Sequence, residues 1–212
     1  MVKILVVRHG FSQSNLDGTF TGHLDAPLTE LGLKQGEIAS QFIYENYKID
    51  AIYSSDLNRA VSTIKPLADK LNMPIKTTKN LREIYGGVWE GKTIAKINEL
   101  YADDYKKWQD YAEDMRAPGG ESMKEVMKRA KNALLNIAKE NEGKTVAVAT
   151  HGGLIKGLQG ALMGLKVNEL KNIDYVCNAS IMEIEYDGKF KIVNGCISHY
   201  LGDLLTEMTK GV

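Results

Sequence analysis

Residues Val2 to Val7 form a short aliphatic run, apolar at adjacent positions through Ile4-Leu5-Val6-Val7, and the run stops on Arg8-His9-Gly10. A strand with one wet face alternates apolar and polar residues. An unbroken apolar run of this length, rich in β-branched residues, suits a strand covered on both faces, as in a parallel sheet flanked by helices. In open α/β sheets the ligand crevice lies outside the carboxyl ends of the strands. Arg8 and His9 stand where that crevice would be, and Gly10 allows a sharp turn or close backbone approach. Taken alone, the tripeptide is also compatible with a strand end that carries a basic pair and no role.

A second stretch repeats the plan: the apolar run Lys144–Thr150 leads into His151-Gly152-Gly153. The chain has only four histidines, and two of them close its two most strand-like runs in the same way. If the two strands lie parallel and close, the imidazoles face each other across one crevice beside Arg8. A planar fork of donors with two imidazoles suits a doubly charged phosphoryl group, with histidine as donor or nucleophile. Phosphoryl chemistry is the working expectation.

Composition narrows the alternatives. At 212 residues, one large domain is expected over 1–212. A chain of this size buries roughly 70% of its unfolded surface and needs neither disulfide nor metal to fold. Lys plus Arg and Asp plus Glu are equal at 27 each, so no global basic field points to nucleic acid, and any anion site must be local. Cys177 and Cys196 have no metal or redox spacing and read as small core residues. The chain enters a strand within two residues, without a basic-then-apolar leader. No apolar stretch approaches the ~20 residues that span a bilayer. The expected location is the cytoplasm, with no membrane partner; oligomeric state is left open.

Between these strands, local patterns outline alternating elements. Residues 11–28 read as a long loop, a length that is often functional. Ser12 and Asn15 are close enough in sequence to line a pocket with Arg8 and His9. Thr21 and Gly22 offer a hydroxyl and an amide, with ordinary turn chemistry as the alternative. Thr29 caps a helix to about Tyr47 that carries Leu31, Gln35, Ile38, Phe42 and Ile43 at helical spacing. After the strand Ala51–Ser54, one of Ser54, Ser55 or Asp56 caps a helix with a stripe from Leu57 to Leu71, which Pro66 should kink or restart. Arg59 stands in its first turn, just past a strand end; the alternative is an exposed partner for Asp56. Residues 75–78 are a weak strand.

Residues 81–91 form a glycine-punctuated loop in which Glu83, between Leu81 and Ile84, is expected to be partly desolvated, with a raised pKa suited to proton donation. A surface carboxylate is the commoner state. Residues 93–113 are expected to be one helix with an aromatic stripe, a packing face or a lid. Ser122 and Glu125 form a capping box for a helix to about Asn141. Gly153 opens a further helix through Met163, and Asp187-Gly188 turns a hairpin over 180–193. His23 and His199 have no assigned role. The expected architecture is one domain: strands alternating with helices, a mostly parallel sheet covered on both faces, and an added hairpin.

These blocks carry a resemblance. Arg8-His9-Gly10 with Asn15, Thr21-Gly22 and Leu28-Thr29-Glu30-Leu31-Gly32 are similar to motifs of the histidine phosphatase superfamily. So are Ser54-Ser55-Asp56-Leu57-Asn58-Arg59-Ala60, Glu83 ahead of Gly87-Val88-Trp89-Glu90-Gly91, Pro118-Gly119-Gly120-Glu121-Ser122, and Thr150-His151-Gly152. The order is the family's, from Val2 to the hairpin. The resemblance implies the phosphoglycerate mutase-like fold, an α/β three-layer sandwich with a mostly parallel central sheet.

It also implies a catalytic set of His9, Glu83, Arg8, Arg59 and His151, with Asn15, Thr21, Gly22 and Gly152 toward substrate. His9 would carry the phosphoryl group, with its other ring nitrogen held by a carbonyl or similar acceptor. Glu83 would protonate the leaving oxygen. Arg8, Arg59, His151, Asn15 and an amide near Gly152 would bind the phosphoryl oxygens, each such fixed donor worth on the order of 10²–10³ in rate. No metal or cofactor is expected, and inorganic phosphate is the product.

The chain resembles the small phosphatase branch, because Glu83 is followed by Ile84-Tyr85-Gly86-Gly87 without the mutases' basic residues. A cofactor-dependent phosphoglycerate mutase is the alternative. A non-catalytic phosphate-binding module and a metal hydrolase using His9 and His151 are readings of other classes.

Overall fold

The structure, a computed structural model, describes residues 1–206. Its centre is a six-stranded sheet in the order β3-β2-β4-β1-β5-β6. The strands are β1 (Val2–Arg8), β2 (Ala51–Ser55), β3 (Ile75–Thr78), β4 (Thr145–Thr150), β5 (Ile181–Tyr186) and β6 (Phe190–Ile197). β3, β2, β4 and β1 are mutually parallel, and the β5–β6 hairpin adds antiparallel to β1. Six-strand mixed sheet and flanking helices agree with the expected α/β sandwich.

Seven α-helices accompany the sheet among the described residues: α1 (Gln13–Asp17), α2 (Glu30–Asn46), α3 (Asn58–Leu71), α4 (Ile94–Leu100), α5 (Ala102–Gln109), α6 (Met123–Glu140) and α7 (Gly152–Met163). The unbroken apolar run of β1 is explained by its two covered faces. Leu5 and Val7 pack with Ile43 of α2 and Ala60, Ile64 and Leu67 of α3. Ile4 and Val6 join the opposite core, with Val126 and Leu134 of α6 and Leu154 and Leu158 of α7. Burying one such aliphatic side chain stabilises the fold by about 1.5–3 kcal/mol, so both faces of β1 hold the layers together.

Local chemistry sets several helix ends as expected. Thr29 accepts the Gly32 N–H at 3.1 Å to start α2, and Ser122 with Glu125 forms a reciprocal capping box on α6. Other expectations are corrected. The 11–28 segment contains a helix, α1, because Ser12 and Asn15 make a second capping box. The 93–113 segment is two helices, broken at Tyr101, whose backbone (φ −137°, ψ 43°) is not helical. Pro66 does not interrupt α3. It removes one helical N–H, but Ser62 and Pro66 lie on a half-buried side, where an unpaired carbonyl costs less than in a core. None of Ser54, Ser55 and Asp56 caps α3; its N-cap is Leu57, without a side-chain bond. On α2, Ile38 is 36% exposed and Ala39 takes the buried position. The cysteines are not core residues: Cys177 is half-buried and Cys196 exposed.

Candidate active site

The β1–β4 pairing places Arg8 opposite Thr150, so the next residues, His9 and His151, leave the sheet side by side. The His9 N–H donates to the Thr150 carbonyl at 2.9 Å, and the two rings meet edge to face with centroids 5.2 Å apart. The expected juxtaposition of the imidazoles is present, at the carboxyl ends of neighbouring parallel strands.

His9 is buried, and its Nδ1 lies 2.7 Å from the carbonyl of Gly10. A carbonyl only accepts, so Nδ1 carries the proton and Nε2 keeps its lone pair. Burial first, then the Arg59 and Arg8 guanidinium groups, hold the imidazole well below its ordinary value of 6.5. The ring is therefore neutral at neutral pH, with the Nε2 lone pair free. Behind it, the Gly10 N–H donates to Thr63 Oγ1 at 2.9 Å, tying the turn to α3.

Both arginines are almost wholly buried. Arg8 donates from Nη1 to the Val176 carbonyl at 2.6 Å, while its Nε has no partner. Arg59 donates to the carbonyls of Leu24 and Gly22, both at 2.8 Å, and so holds the loop that follows α1. Burial lowers both guanidinium groups, Arg59 to about 10, against the opposing pull of Glu83. Both remain cationic at neutral pH. The exposed Arg59–Asp56 pair does not form, because Arg82 takes Asp56 in a bidentate pair at 2.6 Å.

His151 is buried as well, held well below 6.5 chiefly by desolvation and then by Arg59. Its Nε2 lies 2.8 Å from Ser55 Oγ, and its Nδ1 has no partner. Glu83 is half-buried and docks on the first turn of α7. Its carboxylate accepts N–H bonds from Gly153 at 2.9 Å, Leu154 at 3.0 Å and its neighbour Ile84 at 2.9 Å. The amides just past Gly152 therefore serve Glu83 in this state. Gly152 itself packs under Arg8, where an added Cβ would lie 3.1 Å from Nε.

Asn15 lines the pocket with its carboxamide oxygen already taken, by the Ser12 N–H and hydroxyl and by Asn178 Nδ2. That leaves its NH₂ group as the donor toward a ligand. Thr21 and Gly22 border the same pocket. Gly22 has a left-handed φ of 53°, and a Cβ there would fall 2.0 Å from a Glu90 oxygen, so only glycine fits. The pocket thus brings together His9, Glu83, Arg8, Arg59, Asn15, Thr21 and Gly22; His151 and Gly152 do not line it but pack against His9 and Arg8.

The remaining wall consists of Phe20, Ile84, Trp108 and Tyr175, with Ser14 beside Asn15. Ser14, Phe20, Tyr175 and the second-layer Asn178 were not indicated by any local pattern. His23, which had no expected role, bonds the Glu83 carbonyl through Nε2 at 2.9 Å. Ser55 was visible only as a capping candidate, and its bond to His151 spans 96 positions.

Two buried arginines, the His9 imidazole and the Glu83 carboxylate surround one small pocket, a set whose chemistry suits a phosphoryl group. Residues 4–196 match the model of the histidine phosphatase superfamily (branch 1), and the chain belongs to that family. It is a histidine phosphatase on the phosphoglycerate mutase-like fold. Among curated relatives, it is 29% identical to phosphoserine phosphatase 1 of Hydrogenobacter thermophilus, over the whole of both chains. It is 30% identical to the probable phosphoglycerate mutase GpmB of Yersinia pestis (strain Pestoides F), covering 96% of this chain and 94% of the relative. The solved structure of Bacillus stearothermophilus YhfR superposes with a TM-score of 0.89 at 30% identity, over 94% of this chain and all of that one.

Proposed function

We propose that the protein hydrolyses phosphomonoesters of small metabolites through a phosphohistidine at His9, without a metal. The observation that carries the reading is the His9 Nδ1–Gly10 carbonyl bond, which leaves Nε2 as a neutral nucleophile beside Arg8 and Arg59. His9 Nε2 attacks phosphorus in line as the ester P–O bond breaks. Glu83, in its protonated form, gives its proton to the leaving oxygen and releases an alcohol. The Glu83 carboxylate then takes a proton from water, whose oxygen displaces Nε2 and frees inorganic phosphate. Arg8, Arg59, His151 and the Asn15 NH₂ hold the equatorial oxygens while charge shifts, as preorganised donors in a dry site.

Apart from Arg8 and Arg59, the pocket is walled largely by Phe20, Ile84, Trp108 and Tyr175, with no cation among these four. That wall supports a monoester over a bisphosphate and a phosphatase over a mutase. The described residues include no helix long and apolar enough to cross a membrane. We place the protein in the cytoplasm as a single domain over 1–212, as composition suggests.

The test is turnover of an aryl phosphate with and without chelator, together with intact mass, for wild type, His9→Ala and Glu83→Gln. The expected result is chelator-resistant turnover that vanishes in His9→Ala, with a phosphate adduct on His9 that accumulates in Glu83→Gln. Turnover that survives in His9→Ala would overturn the nucleophile. Phosphoglycerate isomerisation that outruns hydrolysis would establish the mutase instead.

A further inference from the structure

The Pro118-Gly119-Gly120-Glu121 block lines no part of the His9 pocket, yet it packs against the segment that carries Glu83. The Glu121 N–H donates to the Tyr85 carbonyl at 2.9 Å, and the Tyr85 N–H donates back to Glu121 Oε2 at 3.4 Å. A Cβ on Gly120 would lie 2.6 Å from the Tyr85 carbonyl oxygen, so this close approach requires glycine. The Glu121 carboxylate then grips Arg129 of α6 in a bidentate pair, Nε to Oε1 at 2.8 Å and Nη2 to Oε2 at 2.6 Å.

That pair aims the rest of the guanidinium at the backbone around Glu83. Nη1 donates to the carbonyls of Asn80 at 3.0 Å and Arg82 at 2.7 Å, and Nη2 also donates to the Glu83 carbonyl at 3.2 Å. With the two bonds to Glu121, every N–H of the group is used. His23 adds a donor to the Glu83 carbonyl from Nε2 at 2.9 Å, and Thr150 Oγ1 holds the Leu81 carbonyl from the inner side at 2.7 Å. Residues 82–86 have no regular structure, so side chains supply the partners that a helix or a sheet ladder would give.

We propose that Arg129, oriented by Glu121, is the positioning residue of Glu83, an inference that rests on the reading of Glu83 as proton donor. Arg129 does not line the His9 pocket; it borders a groove on the other side of the segment, with Lys79, Arg82 and Lys128. The Glu83 carboxylate is seated on the first turn of α7, and its main chain is fixed by Arg129. Held at both ends, the acid keeps one geometry before substrate arrives, which is what efficient proton transfer needs. Charge alone does not do this. Lysine presents three donors from one tetrahedral nitrogen and cannot span a carboxylate and the carbonyls opposite it, whereas the planar fork of arginine can.

The experiment measures kcat/KM of the full-length wild type, Arg129→Lys, Glu121→Gln and Glu83→Gln with an alkyl phosphate and with a nitrophenyl phosphate. An alkoxide needs a proton to leave and a nitrophenolate does not, so misplacing the acid falls on the alkyl ester. Arg129→Lys is expected to lose on the order of 10²-fold with the alkyl phosphate, the scale of a misplaced catalytic group, and little with the nitrophenyl phosphate. Glu121→Gln, which keeps the arginine but loosens its grip, is expected to show a smaller loss with the same selectivity. Adding Arg129→Lys to Glu83→Gln should cost nothing more, because the group being positioned is already gone. Equal losses on the two esters, or a further loss in the double variant, would overturn the inference and leave Arg129 a packing residue. Should Arg129→Lys fail to fold, Glu121→Gln carries the same comparison. A Glu83→Gln variant that treats both esters alike would instead overturn Glu83 as proton donor, so the two readings fail separately.

Discussion

His151 Nε2 lies 2.8 Å from Ser55 Oγ, which in turn accepts the Leu57 N–H at 3.3 Å. A hydroxyl that already accepts from the backbone has its own proton to give, so Ser55 donates to Nε2 and His151 is protonated on Nδ1, the nitrogen without a partner. The arrangement makes His151 a neutral imidazole whose Nδ1–H has no protein partner, as the proposed contact to a phosphoryl oxygen requires. Ser55 acts through His151 as a positioning residue. Ser55→Ala is expected to lower kcat/KM about ten- to a hundredfold, as loss of a ligand-orienting partner does elsewhere, while Ser55→Thr restores most of it. Ring ¹⁵N shifts that show His151 still protonated on Nδ1 in Ser55→Ala would refute the assignment.

Gly153 is glycine because of Glu83. A Cβ at that position would sit 2.5 Å from Glu83 Oε1 and push the carboxylate off the first turn of α7. The lost Gly153 and Leu154 N–H bonds to Glu83 offset alanine's helix-propensity advantage of roughly 1 kcal/mol, so stability should hold or fall slightly. Catalysis should fall much further: Gly153→Ala is expected to lose on the order of 10²-fold in kcat, the scale of a misplaced catalytic group. Unchanged kcat with unchanged melting temperature would show that Glu83 does not need this seat.

Both buried imidazoles are held well below 6.5. Below pH 6.5 the unfolded chain takes up protons that the folded chain refuses, so the stabilisation present above pH 6.5 is lost as pH falls toward the folded values. Each histidine contributes a slope of up to about 1.4 kcal/mol per pH unit in that window. Urea unfolding between pH 5 and 7 should show His9→Gln with a shallower slope than wild type. The acid limb of kcat/KM, which reports the free enzyme, should fall below pH 6.5. A limb at or above 6.5 would contradict the buried, cation-flanked environment of His9.

Lys156 of α7 is buried with its ammonium 4.5 Å from the ring centre of Tyr111 and 4.3 Å from that of Tyr175. Tyr111, just beyond α5, adopts a left-handed φ of 51°, and Tyr175 lines the pocket. The lysine therefore clamps the aromatic wall to the helix that seats Glu83. Burial, opposed by Asp174, lowers the amine to about 8. Lys156→Met, which keeps the apolar stem, is expected to cost about 1–2 kcal/mol in stability, the range of desolvated cation–π contacts, and to raise KM severalfold near pH 7. The KM difference should shrink above pH 8, where the wild-type amine is neutral. A difference that persists at pH 9 would mean packing, not charge, forms the clamp.

The Arg8-His9 and Thr150-His151 strand ends, the caps of α2 and α6 and the Asp187-Gly188 hairpin are all written in residues a few positions apart. Such features rest on local hydrogen bonding and on hydropathy with period two or 3.6, and a single stretch of chain contains all that decides them. Even there, tertiary context overruled two local rules: Pro66 stays inside α3, and the aromatic segment after Thr93 breaks at Tyr101. The partners that make the site work obey no local rule. Ser55 on His151, Asn178 under His9 and Tyr175 in the wall depend on which strands are neighbours and where one turn falls. The chain alone determined which groups are the candidates for the chemistry, because their type and strand-end position are local properties. Sheet order and packing decided which atoms of those groups are free to act, because a buried donor or acceptor takes its partner from whatever the fold brings within 3 Å.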